Sequence, residues 1–280
     1  VTQPLSKIAV SGEHRHIGII FWQFSLGAFL LGAFCLIRRK PLPLGPAQLR
    51  FYLLIALIGT LIPNSASFTA AVHLPSGILS IVLATVPMMA LPIAVALGMD
   101  RASALRLTGL ALGLAAIALL AGPEAALPQG TAIIWLIVAL IAPFFYACEG
   151  NIVAKWGTAG LDAVQVLLGS SIIGAVLALP LAVGTGTFIS PFGPWHAPDF
   201  AIVGIALAHT LAYTMYVWLV GLTGAVFASQ VGYLVTGFGV LWAKLILGES
   251  YPPVVWLALA LMLIGVALVQ PRGRRNAARA

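Results

Sequence analysis

Long apolar stretches separated by short polar ones set the pattern of this sequence. A helix needs roughly 20 apolar residues to cross a bilayer, and nine complete runs of about that length occur, at 17–37, 51–72, 77–99, 107–122, 131–148, 163–183, 200–222, 224–247 and 253–270. Transmembrane barrel strands are about 10 residues long and alternate in polarity, which these runs do not. The pattern predicts an all-α membrane protein.

The composition agrees with that prediction and restricts the possible functions. Hydrophobic residues make up 61% of the chain and charged residues 8%, whereas soluble domains are about 25% charged. The loops are too short to hold a soluble catalytic domain. Cys35 and Cys148 lie in separate apolar runs, which favours packing roles over a disulfide or a metal site. We predict no catalytic residue, metal site or cofactor.

The net charge of +7 is a signal of topology, because the basic residues fall in alternate loops. One set of loops and the tail hold Arg38, Arg39, Lys40, Arg50, Arg101, Arg106, Lys155, Arg272, Arg274, Arg275 and Arg279. The positive-inside rule places these loops and the C-terminus in the cytoplasm of a bacterial inner membrane. We therefore predict a multi-pass protein in contact with lipid and not with nucleic acid.

Three pairs of segments indicate an internal repeat. WQFSLGAFLLGAF (22–34) aligns with VQVLLGSSIIGAV (164–176), NSASFTAAVHL (64–74) with HTLAYTMYVWL (209–219), and ALGMD (96–100) with ILGES (246–250). The alignment pairs Gln23 with Gln165 and Asn64 with His209. We predict a first repeat at 1–123, a second at 124–271 and a basic cytoplasmic tail at 272–280.

The number of helices in each repeat predicts their relative orientation. The second copy has five apolar runs, whereas the first has four, preceded by VTQPLSKIAV, which resembles the end of the sixth helix. We expect that the first half of helix one is missing from this sequence and that the full bundle has ten transmembrane helices. Five helices per copy make the repeats inverted, an arrangement that supports alternating access. The alternative is that duplication only stabilises the bundle.

Polar residues in the middle of apolar runs are the candidates for a substrate site. Asn64 and His209 lie at the depth where an unsatisfied polar group costs most, so we expect both to face a common axis between the repeats. Each could instead bond to a neighbouring carbonyl or side chain, and His209 could carry a proton. The further candidates supply hydroxyl, amide and ring surfaces: Ser80, Tyr213, Tyr216, Gln230, Tyr233 and Thr236. This lining suits a small zwitterion or amphipathic metabolite.

Two charged residues and two prolines are candidates for coupling or gating. Glu149 lies near the inner end of the sixth helix, where it would snorkel to the interface or carry a coupling proton. Lys7 would meet a substrate carboxylate or snorkel outward. Pro63 and Pro87 fall within helices and would kink them, which fits either moving gates or static packing.

The segment LILGESYPPVVWLALALMLIGVALV (245–269) resembles the EamA branch of the drug/metabolite transporter superfamily. The resemblance covers essentially the whole chain, although Met99 and Asp100 replace the usual Gly-Glu in the first copy. It implies two inverted five-helix repeats and the export of small metabolites. The YddG-type exporters of aromatic and neutral amino acids are one such group.

These observations favour a secondary transporter that exports small amphipathic metabolites, with neutral or aromatic amino acids as the leading substrates. A multidrug exporter of the same fold would want a deep unpaired carboxylate, which the sequence does not reveal. An intramembrane enzyme would need a nucleophile and a base, and His209 with Ser80 or Ser170 is too generic to indicate one. No P-loop sequence is present. We predict a monomer or weak dimer.

Overall fold

The computed structural model describes residues 2–12, 14–122, 133–223 and 231–269, without the side chains of 213, 216–223 and 233. All regular structure in these ranges is helical. Ten helices follow one another in the described residues: α1 Thr2–Ala9, α2 His16–Ile37, α3 Pro46–His73, α4 Ser76–Ala96, α5 Ala104–Ala121, α6 Ile134–Trp156, α7 Ala163–Gly184, α8 Ala197–Thr223, α9 Val231–Leu247 and α10 Pro253–Val269.

Within the described residues, the predicted apolar runs overlap these helices. Six of them, α2 to α7, are long and apolar enough to cross a membrane, and shorter apolar stretches lie within α8, α9 and α10 at Ala197–Ala212, Leu234–Leu247 and Pro253–Val269. The all-α membrane fold is thus confirmed. The repeat boundary at 123/124 and the tail at 272–280 lie outside the described residues.

The packing of the helices has the symmetry of two repeats. Helices α2 and α7 pack together, as do α4 and α9, and α5 and α10; each of these pairs joins a helix to its own counterpart. The contact of α1 with α8 is matched by the contact of α6 with α3. Exchange of the two halves therefore maps these contacts onto one another. Since each half has five helices, the second enters the bundle from the opposite end, and the repeats are inverted.

Small residues let the halves approach closely at the crossing of α2 and α7. A Cβ on Gly27 would lie 3.3 Å from the Ser171 Oγ, and a Cβ on Gly174 would overlap the Phe24 ring. These two contacts are reciprocal, because 147 residues separate both Phe24 from Ser171 and Gly27 from Gly174. The same 147 residues separate the first residues of α2 and α7.

The sequence alignment of these two helices is therefore wrong by five residues. Gln165 lies in the first turn of α7, where it completes a capping box with Asp162, whereas Gln23 is buried in the body of α2. Small residues recur along both helices, so the shifted alignment pairs three identical small residues, whereas the true register pairs two, Gly27 with Gly174 and Ala28 with Ala175. Only the packing of Gly27 and Gly174 fixes the register.

Proline determines where α3 and α4 depart from regular α-helix. In α3 a wide turn of π-helix spans Ala56–Leu61, just before Pro63, whose missing N–H cannot bond to a carbonyl four residues earlier. Helix α4 is divided into Ser76–Leu83 and Val86–Ala96, and Pro87 stands in the first turn of the second segment. Both predicted irregularities are present.

Candidate substrate site

A small cavity lies between the two halves of the bundle. Its empty volume is about 300 Å³, including the part that is open to solvent. The residues that line it are Gln23, Phe24, Gly27, Thr60, Leu167, Ser171, Ala206, His209 and Thr210. These residues come from α2 and α3 of the first half and from α7 and α8 of the second. A site shared by two inverted repeats is where an alternating-access transporter places its substrate.

Thr60 and Thr210 occupy corresponding positions on the two walls of this cavity, one in each repeat. They are 150 residues apart, as are Gly98 and Gly248, which follow α4 and α9 with left-handed φ angles of 71° and 66°. Helices α3 and α8 begin 151 residues apart. Asn64 and His209 are only 145 residues apart, so they are not equivalent in this register. The sequence alignment of α3 with α8 is therefore also shifted, by five or six residues.

Asn64 joins three helices through a chain of hydrogen bonds. Its Nδ2 donates to the Gln23 Oε1 at 2.9 Å, and its Oδ1 accepts from the Tyr146 hydroxyl at 2.9 Å. Gln23 is only 7% exposed and lines the cavity. The alternative expected for Asn64, bonding to partner side chains, is present here. Its link to the cavity runs through Gln23.

His209 lines the cavity directly, and its role in binding a substrate stays a prediction. The other predicted aromatic and amide candidates nearby cannot be placed: the side chains of Tyr213, Tyr216 and Tyr233 and the whole of Gln230 lie outside the described residues. Thr60, Ser171 and Thr210 are cavity residues that the sequence did not single out, because one hydroxyl in an apolar helix is a weak signal.

Ser80 and Thr236 are buried in helices α4 and α9 and are absent from the lining described for the cavity. The Ser80 Oγ donates to the Ser76 carbonyl at 3.1 Å, and the Thr236 Oγ1 donates to the Gly232 carbonyl at 3.0 Å. A Cβ on Gly239 would lie 2.5 Å from the Ser80 Oγ, so Ser80 packs where α4 and α9 meet. The structure gives both hydroxyls partners in their own helices.

Glu149 lies deeper in the bundle than an interfacial residue. A Cβ added to Gly59 would lie 2.8 Å from the Glu149 Oε1, and Gly59 is at the middle of α3, Pro46–His73. The expected snorkelling of Glu149 to the interface is thus wrong: its side chain points back along α6, towards the centre of the bundle. A side chain at position 59 would push this carboxylate away from its observed place.

Lys7 holds the end of α3. Its Nζ donates to the carbonyls of Ala71 at 2.6 Å, Val72 at 3.2 Å and Leu74 at 3.0 Å. The last carbonyls of a helix lack partners within it and carry partial negative charge, so an ammonium group stabilises them. Lys7 thereby fixes α1 to the loop that leads into α4.

Glu249 fixes the start of α4 from the other half of the molecule. Its carboxylate accepts hydrogen bonds from the backbone N–H groups of Ser76 at 2.9 Å and Gly77 at 3.2 Å, and it also accepts a hydrogen bond from the Tyr251 hydroxyl. Burial, and then the bond to this carboxylate, raise the pKa of Tyr251, so the phenol remains a donor. We call this group of Glu249, Tyr251, Ser76 and Gly77 the Glu249 clasp.

The first copy does not reproduce the Glu249 clasp. Met99 aligns with Glu249, and the neighbouring Asp100 bonds to Arg106 at 2.7 Å within its own loop. The bond from Arg106 lowers the pKa of Asp100, so this carboxylate is charged in a local pair. The two ends of the bundle are consequently held by different contacts.

At the end that carries the basic loops, contacts join the α2–α3 loop to the α6–α7 loop. The Lys40 Nζ lies 2.7 Å from the Asp162 Oδ2, and the Gln165 Nε2 donates to the Pro41 carbonyl at 2.9 Å. Burial alone would raise the pKa of Asp162, but the bond from Lys40 and the N–H groups of the helix start lower it. We call this the basic end and the other the opposite end.

Known proteins resemble this chain in sequence and in fold. The sequence matches the EamA-like transporter family at residues 1–122 and 133–270. It is 31% identical over 253 residues to the uncharacterized inner membrane transporter YedA of Escherichia coli K12, covering 88% of this chain and 79% of that protein, and it matches YedA of strain O157:H7 equally. A solved crystal structure of a 17% identical protein superposes with a TM-score of 0.63 over 98% of this chain and 96% of that one.

Both halves of the chain match the same family, the helices pack as two inverted repeats, and the cavity lies between those repeats. The distant crystal structure supports the fold alone, whereas the family match and the relative concern the sequence over most of its length. The chain therefore belongs to the EamA-like transporter family and is a membrane transporter.

Proposed function

We propose that this protein is a secondary exporter of small amphipathic metabolites, with neutral and aromatic amino acids as its leading substrates. The observation that carries the proposal is the cavity between the inverted halves, with Gln23, Thr60, Ser171, His209 and Thr210 on its walls. Transport proceeds by alternating access, because two inverted repeats can exchange conformations and open this cavity first to one end and then to the other.

The lining supports the substrate class by its chemistry. Hydroxyl, amide and imidazole groups donate and accept hydrogen bonds without fixed charge, whereas Phe24, Leu167 and Ala206 offer apolar surface. A phosphorylated metabolite would call for a cluster of Arg or Lys. The lining residues that the structure describes include no Arg or Lys, which favours a neutral or zwitterionic substrate.

The proposed location is a bacterial inner membrane with the basic end in the cytoplasm. Lys40, Arg101, Arg106 and Lys155 lie at this end, as the positive-inside rule requires, and the relative YedA is an inner membrane transporter. The C-terminus then lies in the cytoplasm. Export runs from the basic end to the opposite end, and the transporter works as a monomer or weak dimer.

Transport by the purified full chain in liposomes tests this proposal. The substrates are labelled amino acids, cationic drugs and nucleotide sugars, each offered with equal and with unequal pH across the membrane. We expect uptake of neutral or aromatic amino acids. Saturable uptake of nucleotide sugars alone would contradict the substrate class, and absence of uptake for every compound would contradict the transport function.

Matched variants test the site. His209→Ala and Thr60→Val each remove a polar group from the cavity, and a lost hydrogen bond of about 1 kcal/mol lowers substrate affinity about fivefold. His73→Ala and Thr108→Val make the same substitutions at exposed positions and should transport normally. Wild-type affinity in both cavity variants would show that the cavity does not bind the substrate.

A further inference from the structure

A carboxylate in the middle of the bundle has no described partner of opposite charge. Glu149 lies against Gly59 at the midpoint of α3, and the salt bridges among the described residues involve other carboxylates. Burying an ionised carboxylate without a partner is among the most costly arrangements in a membrane. Such a residue is kept only if it is neutralised in some other way.

Among the described residues of α3, α4 and α6, no Lys or Arg lies beside Glu149. On α6 the titratable and charged groups are Tyr146, Cys148 and Lys155, and Lys155 binds the carbonyl of Leu97 at the basic end. Helix α3 contributes Arg50, Tyr52 and His73, all near its two ends, and α4 contains no titratable residue. The Tyr146 phenol, one turn away on α6, is a neutral group.

Glu149 is absent from the described lining of the cavity, but two routes connect it to that lining. Gly59, which the carboxylate contacts, is followed by the cavity residue Thr60. Tyr146, one turn before Glu149, bonds to Asn64, which bonds to the cavity residue Gln23. A change in the charge of Glu149 therefore changes the electrostatic potential at the cavity wall. A cation in the cavity is in turn attracted by the Glu149 carboxylate.

We propose that Glu149 is the coupling site of the transporter, neutralised alternately by a proton and by the ammonium group of the substrate. The proposal rests on the proposed transport function and narrows the substrate to compounds that carry an ammonium group. It also supplies the deep carboxylate that a transporter of cationic compounds requires, so amino acids and amines are both candidates.

The exchange balances in protons and charge. At the basic end, neutral Glu149 releases its proton to water, and the carboxylate then pairs with the ammonium group of the entering substrate. At the opposite end, a proton from water binds the carboxylate and the substrate leaves with its charge unchanged. One proton therefore enters for each substrate exported. Exchange for a zwitterion moves one net charge across the membrane, whereas exchange for a monovalent amine moves none.

Three compounds of one shape test the proposal in liposomes that hold the full chain. Phenylalanine is a zwitterion, phenethylamine is a cation, and phenylpropionate has no ammonium group. With a lumen one pH unit more acidic than the medium, exchange for one proton accumulates phenylalanine up to tenfold inside. The neutral form of phenethylamine crosses lipid unaided and is trapped in an acidic lumen, so its protein-dependent signal is uptake that is faster than in protein-free liposomes. A potassium diffusion potential should change the uptake of phenylalanine and leave that of phenethylamine unchanged. Phenylpropionate should not be transported.

Variants assign the coupling to Glu149. Glu149→Gln should lose accumulation driven by the pH difference, and its residual phenylalanine binding in detergent should depend less on pH than that of the wild type. Glu149→Asp keeps the carboxylate and should keep part of the accumulation. Asp100→Asn, at the basic end, should behave as wild type. Equal elution of all three from a sizing column checks their folding.

The outcomes separate this inference from the proposed function. Transport of phenylalanine with tenfold accumulation retained in Glu149→Gln would overturn the role of Glu149 and leave the transport function intact. Equal transport of phenylpropionate would overturn the ammonium requirement. Absence of transport for every compound tried, in the wild type and at both pH settings, would overturn the proposed function and this inference with it.

Discussion

The Glu249 clasp gives the sharpest prediction about the opening of the transporter. Its acid belongs to the second half, and the N–H groups that it accepts, on Ser76 and Gly77, belong to the first. In the proposed alternating-access cycle, opening of the opposite end would separate the two halves there and break these bonds. Glu249→Gln changes the charge with almost no change in shape, and we expect it to favour the open state.

The expected magnitude follows from the contacts. A charged group at a helix N-terminus is worth up to about 2 kcal/mol in partly buried sites, and charge-assisted bonds are about twice as strong as neutral ones. Glutamine keeps one acceptor oxygen for two backbone donors. We expect the closed state to lose about 2 kcal/mol, which raises the ratio of open to closed molecules roughly 30-fold.

Labelling of a cavity cysteine measures this ratio. Thr60→Cys, in a chain whose Cys35 and Cys148 are replaced by serine, places a thiol on the cavity wall. A membrane-impermeant thiol reagent is then applied from the opposite end. The rate of labelling should rise up to 30-fold when Glu249→Gln is added.

The control for this experiment lies in the corresponding loop of the first copy. Asp100 pairs with Arg106 in its own loop, so Asp100→Asn should leave the labelling rate from the opposite end unchanged. An unchanged rate in Glu249→Gln, with the control also unchanged, would show that the clasp does not hold that end closed. Equal increases in both variants would indicate a general loosening of the bundle.

The remaining predictions concern stability. Lys7→Met removes three hydrogen bonds to the end of α3 and should lower the melting temperature in detergent, whereas Lys244→Met, on an exposed side chain, should not. Gly109→Ala should destabilise the contact of α5 with α10 by about 1–3 kcal/mol, because its Cβ would lie 2.6 Å from the Gly265 carbonyl; a melting temperature equal to wild type would refute the close packing. The pKa of Asp162 is lowered in the fold, so the stabilisation from its pair with Lys40 is present above the unfolded pKa of about 3.9 and is lost as the pH falls through the folded pKa. Because the pair is exposed, this loss of stability should stay under about 1 kcal/mol. Asp162→Asn should abolish this pH dependence of the melting temperature.

The residues that reach the cavity illustrate what pattern alone can show. His209 was recognised because an imidazole in an apolar run is costly unless it faces a polar site. Thr60, Ser171 and Thr210 were missed, since a threonine or serine satisfies its hydroxyl with its own helix backbone wherever it lies. Asn64 was recognised as an inward-facing group, but its bonds to Gln23 and Tyr146 join three helices that no local pattern relates.

The sequence alone determined the membrane helices, their number and the duplication, because hydropathy and segment length act locally along the chain. The register of the repeats, the depth of Glu149 and the Glu249 clasp were decided only by tertiary packing. Each depends on which glycine meets which neighbour, as Gly27 meets Ser171 and Gly59 meets Glu149. Side chains that are distant in sequence come together when helices pack. Apolar helices rich in small residues are compatible with several packing registers, and the close contacts between the helices determine which register is formed.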